Sequence, residues 1–299
     1  MEIHQLRYFV AVAEERSFSR AAEKVRVAQP SLSQQIQKLE AELGQSLFDR
    51  LNRKVALTEA GHSLLPFAHR ILNELAAAHR RVTDRGERPG GVVKLGILPT
   101  IAPYISAPML KNCRATHPDV ELSIIEDVTD NLMRMVDRAA IDMAIISTCR
   151  PGAGVHLEQW AEEPLLAVLP KGHKLARNRF VTWKELRKET VLVLHESHCL
   201  SRQIQKWCAE HRVRQSRSGV LQLTTLMAMV TAGSGISLIP KMAVGNRTRG
   251  CVFVKFKGVE PTREINLLRN SSHHQSKAAQ AVADLARNLF RPPGREALR

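Results

Sequence analysis

The sequence predicts an α/β protein in three parts: a small helical domain with a hairpin, one long helix, and a larger domain of two successive α/β subdomains. Apolar residues recur at helical spacing near the N-terminus, the segment RGERPGG at 85–91 interrupts this periodicity, and short apolar runs then alternate with amphipathic ones. We expect domain boundaries of 1–58, 59–88 and 89–299. Within the last domain, we expect subdomain I at 89–162 plus 268–299 and subdomain II at 163–267.

Composition narrows the class of protein. The chain has 299 residues, of which 44% are hydrophobic and 24% charged, and no apolar run approaches the roughly 18 residues of a membrane span. The N-terminus carries acidic residues before an amphipathic run, unlike a signal peptide, and the five cysteines are odd in number and scattered. We therefore expect a cytoplasmic protein with reduced thiols.

The formal net charge of +15 favours a polyanionic partner such as DNA, because basic residues that neutralise phosphates release counterions. Residues 1–90 nevertheless hold only 14 of the 44 Lys and Arg residues and 11 of the 29 Asp and Glu residues. Most of the excess charge lies further along the chain, so the charge supports a nucleic-acid partner without placing its surface.

The first domain is predicted to contain three short helices. The first follows from apolar spacing over 6–13, and the second from an N-cap at Ser19. Pro30 suits the first turn of the third helix, and Gly44 ends it. The brief connection at 26–28 makes the last two helices a helix-turn-helix.

The third helix is predicted to have one buried and one exposed side. Its apolar side is formed by Leu32, Ile36, Leu39 and Leu43. Its other side offers short polar groups that can approach base edges in the major groove of DNA. The residues predicted to contact DNA there are Gln29, Pro30, Ser31, Ser33, Gln34 and Lys38.

The segment LFDRLNRKVALT alternates apolar and polar residues and predicts a wing hairpin after the third helix. Its cations Arg50, Arg53 and Lys54 are predicted to hold DNA phosphates. A solvated turn is the alternative, because charge runs are usually solvated.

Thr58 is predicted to cap a long helix with a continuous apolar stripe. The stripe is formed by Leu64, Leu65, Ala68, Ile71, Leu72, Leu75 and Ala78. A second copy of the chain is the expected partner, since two-fold symmetry would match a pseudo-palindromic DNA site. The stripe could instead pack on the remainder of its own chain.

Catalytic motifs are missing from the sequence. Neither a phosphate-binding glycine loop nor a nucleophile elbow is present, so we expect no enzyme and no cofactor. A metal site remains an alternative, because nitrogen and sulfur ligands cluster in one stretch. These ligands are His195, His198, Cys199, Cys208 and His211.

Cys199 and Cys208 have a spacing that does not suit a static disulfide. If the intervening segment is helical, their Cα atoms lie roughly 13 Å apart, whereas a disulfide needs about 7 Å or less. A bond would require refolding, which indicates a possible redox switch in which Cys199 reacts with peroxide and Cys208 resolves the product. Cys113, Cys149 and Cys251 are expected to be small buried hydrophobic residues.

A longer match extends beyond these features. The segment FSRAAEKVRVAQPSLSQQIQKLEAELGQSLFDR followed by TEAG, together with the pattern of the remaining chain, resembles LysR-type transcriptional regulators over nearly the whole length. The second half resembles more narrowly the hydrogen peroxide sensors of that family. This narrower match is carried by LGILPTIAPYI, HCLSRQIQKWC and TTLMAMVTAGSGISLIPKMAV.

The resemblance implies an effector domain like periplasmic binding proteins, a homotetramer built as a dimer of dimers, and promoter DNA and RNA polymerase as partners. It also implies that peroxide oxidises Cys199, that Cys208 then closes a disulfide, and that antioxidant genes are activated. The implied peroxide-binding residues are Thr100, Thr129, Ser197 and His198. The residues implied to tune the thiolate are Asp142 and Arg269.

Ser197 is a departure, because the family commonly has glycine before the His-Cys pair. The added hydroxyl and Cβ are expected to change the rate at which Cys199 reacts with peroxide, and the sequence alone does not predict whether this rate rises or falls. Two other hypotheses stay open. One is a LysR-type regulator that answers a small organic ligand in its cleft with incidental cysteines, and the other is a metal-responsive regulator.

Overall fold

The computed structural model describes residues 1–52, 54–83, 88–147, 154–217, 219–245, 250–271 and 275–290. The chain divides into two compact units, one of residues 1–85 with 138–140 and one of the remaining residues. Among the described residues, no helix has the length and apolar character needed to cross a membrane.

The first unit has the predicted order of three short helices, a hairpin and one long helix. Its elements are α1 (Ile3–Glu15), α2 (Phe18–Val25), α3 (Gln29–Leu43), β1 (Phe48–Asn52), β2 (Lys54–Leu57) and α4 (Glu59–Thr83). The strands pair antiparallel, with Phe48 opposite Leu57 and Asp49 opposite Ala56. Arg53 and the side chains of Arg50 and Lys54, predicted to bind phosphate, lie outside the described part of this hairpin.

Local capping explains where these helices begin and end. The predicted N-cap at Ser19 is wrong: the Ser17 side chain accepts from the Arg20 amide and therefore begins α2 two residues earlier. Pro30 lies in the first turn of α3, and Gly44 ends that helix with φ 66°, as predicted. The hydroxyl of Thr58 accepts from the Gly61 amide at 3.1 Å and so caps α4.

The second unit begins with alternating strands and helices. Its first elements are β3 (Gly91–Ile97), α5 (Ala102–Thr116), β4 (Val120–Glu126), α6 (Thr129–Asp137), β5 (Met143–Ile146) and β6 (Val155–Pro170). These are followed by β7 (Phe180–Val181), α7 (Trp183–Leu186), β8 (Thr190–Val193), α8 (Cys199–Glu210), β9 (Arg214–Arg217) and α9 (Leu223–Thr231). The last are β10 (Ser237–Pro240), β11 (Cys251–Phe256), β12 (Thr262–Asn270) and α10 (Lys277–Phe290).

One sheet runs through most of the second unit in the order β4-β3-β5-β12-β6-β11-β7, with β10 paired to β6. The strands β4, β3 and β5 are parallel to one another, and β12 pairs antiparallel with β5 and β6. Parallel strands in register place their carboxyl ends at one edge of the sheet, and the segments that follow β3, β4 and β5 therefore meet there.

Two separate hydrophobic cores fill this unit. Core I is formed by buried residues of 93–146 and 265–286, together with Cys199. Core II is formed by buried residues of 165–256. Ile265 and Leu267 already belong to core I, so the chain returns to the first core before the predicted change at 267/268. The cause is that β12 is a continuous strand along β6 and starts at Thr262.

Candidate functional site

The helix α3 presents the polar face that the sequence predicts. Leu32, Ile36 and Leu39 are fully buried, whereas Leu43 is 40% exposed and does not belong to the buried side. Among the residues predicted to contact DNA, Ser33 is half-buried and the others are exposed: Gln29, Pro30, Ser31, Gln34 and Lys38. This face offers hydrogen-bonding groups to a partner while the opposite face holds the helix in its domain.

The apolar stripe on α4 divides into two parts. Ala68 is buried, and Leu64, Leu65 and Leu72 pack against the core of the first domain. This part of the stripe therefore packs on its own chain, which was the alternative to contact with a second copy. The other part is exposed, with Phe67 at 55%, Ile71 at 38%, Leu75 at 40% and Val82 at 63%. This second part forms an apolar ridge with helical spacing.

In the second unit, three hydroxyl groups lie just beyond the ends of the three parallel strands. Thr100 follows β3, Thr129 follows β4 as the first residue of α6, and Ser147 directly follows β5. All three residues are buried, with exposures of 2%, 1% and 0%. The hydroxyls of Thr129 and Ser147 have no hydrogen-bond partner among the described residues. A buried polar group without a partner costs about 1–3 kcal/mol, which is more often tolerated at a binding site than in a core.

Cys199 lies at the boundary between the two cores. It is the first residue of α8, is 4% exposed, and packs into core I. Leu200 and Ile204 of the same helix pack into core II. As the first residue of α8, Cys199 lies at the helix end that carries partial positive charge.

His198 caps the same helix end and is 5% exposed. Burial lowers the pKa of His198, a backbone hydrogen bond to Leu221 raises it, and the nearby His195 lowers it further. The imidazole is therefore neutral at pH 7. Its Nε2 atom is buried without a partner among the described residues, so the bond to Leu221 uses Nδ1. With Nδ1 as the donor, Nε2 carries a lone pair that can accept a proton or a hydrogen bond.

Thr100 belongs to a buried polar network that the sequence did not predict. Arg263, which is 1% exposed, donates from Nη1 to the Thr100 hydroxyl at 3.0 Å and from Nε to Glu163 at 2.8 Å. Glu163 also accepts from the Met242 amide at 2.6 Å. Because the Thr100 oxygen accepts from Arg263, its O–H remains available to donate. The strand TREINLLRN carries several charged and polar residues, so the sequence alone does not single out Arg263.

The two residues implied to tune the thiolate lie at the other end of the sheet. Asp142 precedes β5 and accepts from the amide of Lys94, in the middle of β3, at 2.8 Å. Leu268 pairs with Ala144, so Arg269 also lies level with the start of β5, where it binds Glu158. Thr100 follows the opposite end of these strands. The implication for Asp142 and Arg269 is therefore not supported, and Arg263, six residues earlier on β12, is the arginine at the correct end.

Ser197 is also placed differently from the expectation. Its hydroxyl lies 2.9 Å from Nδ1 of His195, and its amide donates to the same nitrogen at 3.2 Å. His195 is exposed and Ser197 half-buried. This contact directs the Ser197 hydroxyl to the surface loop rather than to the unpaired buried groups.

The C-terminal end of α8 has a different environment. Cys208 is fully buried in core II, and burial raises the pKa of its thiol to about 11. The neighbouring side chains form an aromatic cluster, which we define as Trp183, Trp207, His211 and Phe256. In this cluster, His211 stacks on Trp183 with ring centroids 4.4 Å apart, and Trp207 stacks on Trp183 at 5.8 Å.

The segment between the two thiols is helical throughout. Nine residues of α-helix separate their Cα atoms by about 13 Å, so a direct bond requires α8 to unwind. Cys113 and Cys251 are buried free thiols, and Cys149 lies outside the described residues. Across the described part of the chain, no group of three or more His, Cys, Asp and Glu side chains is arranged to hold a metal ion.

Two family models match the sequence. The bacterial regulatory helix-turn-helix protein of the lysR family matches residues 3–62, and the LysR substrate binding domain matches residues 86–291. The DNA-binding transcriptional dual regulator OxyR of Escherichia coli K12 is 34% identical over 271 residues, which cover 90% of this chain and 89% of that protein. A probable hydrogen peroxide-inducible genes activator of Mycobacterium avium is 34% identical over 290 residues, covering 95% and 93%.

Solved structures of OxyR proteins are also similar to this chain. Full-length OxyR from Pseudomonas aeruginosa, as a cysteine-to-aspartate variant, superposes with a TM-score of 0.81 at 27% identity, covering 96% of this chain and 95% of that one. A cysteine-to-serine mutant of Corynebacterium glutamicum OxyR with hydrogen peroxide bound superposes with a TM-score of 0.66 at 31% identity, covering 97% and 92%.

Proposed function

Because the chain belongs to the LysR family of bacterial transcription regulators, we propose that it senses hydrogen peroxide through Cys199 and regulates promoters by binding double-stranded DNA. The observation that carries the proposal is the position of Cys199. Cys199 is buried as the first residue of α8, next to buried His198, and it packs into core I. The parallel strands of that core end at the buried hydroxyls of Thr100, Thr129 and Ser147. The similarity to OxyR proteins at 34% and 31% identity supports the same function.

The proposed first step is oxidation of Cys199. Its sulfur attacks one oxygen of hydrogen peroxide, the O–O bond breaks, and the products are a sulfenic acid and water. Three side chains are proposed to hold the peroxide. Nε2 of His198 accepts a hydrogen bond from it, and the hydroxyls of Thr100 and Thr129 donate to it. Arg263 is proposed to fix the orientation of Thr100.

The proposed second step joins the two thiols. The Cys208 sulfur attacks the sulfenic sulfur, water leaves, and a disulfide forms. Because α8 holds the Cα atoms about 13 Å apart, this step proceeds only when the helix unwinds. The loss of α8 is the proposed signal, and in a dimer of dimers it would change how the DNA-binding domains meet the promoter.

Peptide mapping under non-reducing conditions tests this scheme. One equivalent of hydrogen peroxide added to the full-length reduced protein should produce a peptide with Cys199 joined to Cys208. The absence of that crosslink, with peroxide consumed elsewhere or not at all, would favour a LysR-type regulator that answers a small organic ligand.

DNA binding is proposed to use the exposed face of α3, with the hairpin cations at phosphates. RNA polymerase is the proposed partner at the promoter, and a homotetramer the proposed assembly, with the exposed ridge of α4 as a contact between copies. Gln34→Ala should weaken binding to a promoter site by about 1–3 kcal/mol, since one bidentate base contact contributes that much. Gln45→Ala, an exposed residue just past α3, serves as the control in a fluorescence anisotropy titration at fixed salt.

A further inference from the structure

Ser147 is a buried hydroxyl for which the fold provides no partner. It is the first residue after β5, is 0% exposed, and its Oγ has no hydrogen bond among the described residues. By contrast, Ser201 and Ser237 are equally buried, and each donates to a backbone carbonyl, at 2.6 and 2.7 Å. Ser147 is therefore exceptional among these buried serines.

The neighbouring strands explain why Ser147 has no partner. Leu267 pairs with Ile145 on one side, and continuing this antiparallel register places Ile265 beside Ser147. Ile97 pairs with Ile145 on the other side, and continuing the parallel register places Pro99 beside Ser147. Neither side chain can accept or donate a hydrogen bond. Ser147 directly follows β5 and therefore lies at the edge of the sheet where Thr100 follows β3 and Thr129 follows β4.

We propose that the Ser147 hydroxyl is a further peroxide-binding group of the Cys199 site. The inference rests on the proposed peroxide-sensing function and deepens it. Three atoms are buried and have no hydrogen-bond partner among the described residues: Thr129 Oγ1, Ser147 Oγ and His198 Nε2. Thr129 and Ser147 follow parallel strands that end at the same edge of the sheet. The first turns of α6 and α8, next to Thr129 and His198, approach each other, since Arg202 lies 4.0 Å from Asp130. Hydrogen peroxide has two O–H donors and lone pairs on both oxygens, so it can satisfy one acceptor and two hydroxyl donors at once.

Ser147 acts on the oxygen that leaves. When the Cys199 sulfur bonds to one peroxide oxygen, the O–O bond breaks and negative charge develops on the other oxygen until it takes the displaced thiol proton and departs as water. A hydroxyl that donates to the departing oxygen stabilises that charge. Ser147 keeps its own proton, and sulfur is oxidised while the peroxide is reduced.

The test compares two reactions of the same thiol in the full-length Cys208→Ser protein, in which only the first step occurs. One reaction is with hydrogen peroxide and the other with iodoacetamide, which alkylates a thiolate without any O–O bond to break. Ser147→Ala should slow the peroxide reaction about tenfold, because losing one hydrogen bond to developing charge has about that effect. The iodoacetamide rate should stay unchanged, and Ser147→Thr, which keeps the hydroxyl, should retain most of the peroxide rate.

Ser237→Ala is the matched control, since it removes an equally buried serine hydroxyl in core II and should leave both rates unchanged. If Ser147→Ala leaves the peroxide rate unchanged, or slows both reactions equally, the inference is overturned, because the hydroxyl then does not act on the peroxide. A Cys208→Ser protein that reacts with peroxide no faster than a free thiol would instead overturn the proposed function itself.

Discussion

Cys199 packs into core I at the start of α8, whereas Cys208, nine residues later on the same helix, packs into core II. His198, which precedes Cys199, has a buried Nε2 without a partner among the described residues, and the same holds for the hydroxyls of Thr129 and Ser147 at the ends of the core I strands. Around Cys208, stacked rings fill the space and burial raises the pKa of the thiol to about 11. From this difference we propose that the Cys199 end of α8 serves the peroxide reaction and that packing at the Cys208 end keeps the helix folded.

The largest expected effect separates the two thiols. Cys199→Ser should abolish peroxide-dependent modification at this pair, because the thiol at the polar end is the one that attacks. Cys208→Ser should leave the first step intact and accumulate sulfenic acid, since its thiol only resolves that product. Dimedone trapping followed by mass spectrometry checks both, and equal loss in the two variants would contradict the assigned roles.

The next effect concerns the aromatic cluster at the Cys208 end. His211→Ala removes the ring that stacks on Trp183 at 4.4 Å and should ease unwinding of the last turn of α8. The conversion of sulfenic acid to disulfide should accelerate about fivefold, because an aromatic pair contributes roughly 0.5–1.5 kcal/mol. Stopped-flow tryptophan fluorescence after peroxide addition follows this step, since Trp207 adjoins Cys208.

The control for His211→Ala is His156→Ala, which removes an exposed histidine from β6. A fivefold acceleration in both variants would mean that the aromatic cluster does not restrain α8. No change in either variant would place the barrier to unwinding in the aliphatic residues of core II rather than in the stacked rings.

A smaller effect follows from the Cys208 thiol in alkaline solution. Burial raises its pKa from the ordinary 9.0 to about 11 in the folded protein. Between these pH values the folded state binds more protons than the unfolded state, so the free energy of unfolding falls as the pH rises. Between pH 8 and pH 10, the free energy of unfolding of the reduced wild type should fall by about 1 kcal/mol more than that of Cys208→Ala. Urea unfolding of both proteins at the two pH values measures this difference, and parallel curves would contradict burial of Cys208.

The smallest expected effect belongs to the Cys199 end in acid. Burial lowers the pKa of His198 below 6.5, so the unfolded chain takes up a proton that the folded chain does not. Stability linked to this residue is complete above pH 6.5 and is lost as the pH falls below that value. His198→Gln should therefore lose less stability than wild type on acidification, measured by urea unfolding with exposed His156→Gln as the control.

The sequence predicted a large part of this molecule. The order of helices in the first unit and the places of Pro30 and Gly44 at the ends of α3 depend on local spacing and capping. The segment between the two thiols, which the sequence treated as helical only by assumption, is a helix. Two of the errors were also local. Ser17 caps α2 in place of Ser19, and Leu43 lies beyond the buried stripe of α3.

The site needed the tertiary structure. From the sequence, only Arg269 of β12 was expected near the thiol. The strand register places Arg263 beside Thr100, whereas Arg269 lies at the far end and binds Glu158. The sequence made no prediction for Ser147, and its burial without a partner among the described residues is a feature of the tertiary structure.

The sequence by itself determined the family and the helix-turn-helix, because both follow from residue spacing within continuous segments. The spacing of Cys199 and Cys208 likewise determined that a helix between them must unwind before the two thiols can join. Only the tertiary structure decided which hydroxyls lie together, which arginine supports them, and that the two thiols belong to different cores. The reason is that strands distant in sequence are brought side by side, and a side chain's neighbours across a sheet are set by register rather than by sequence separation.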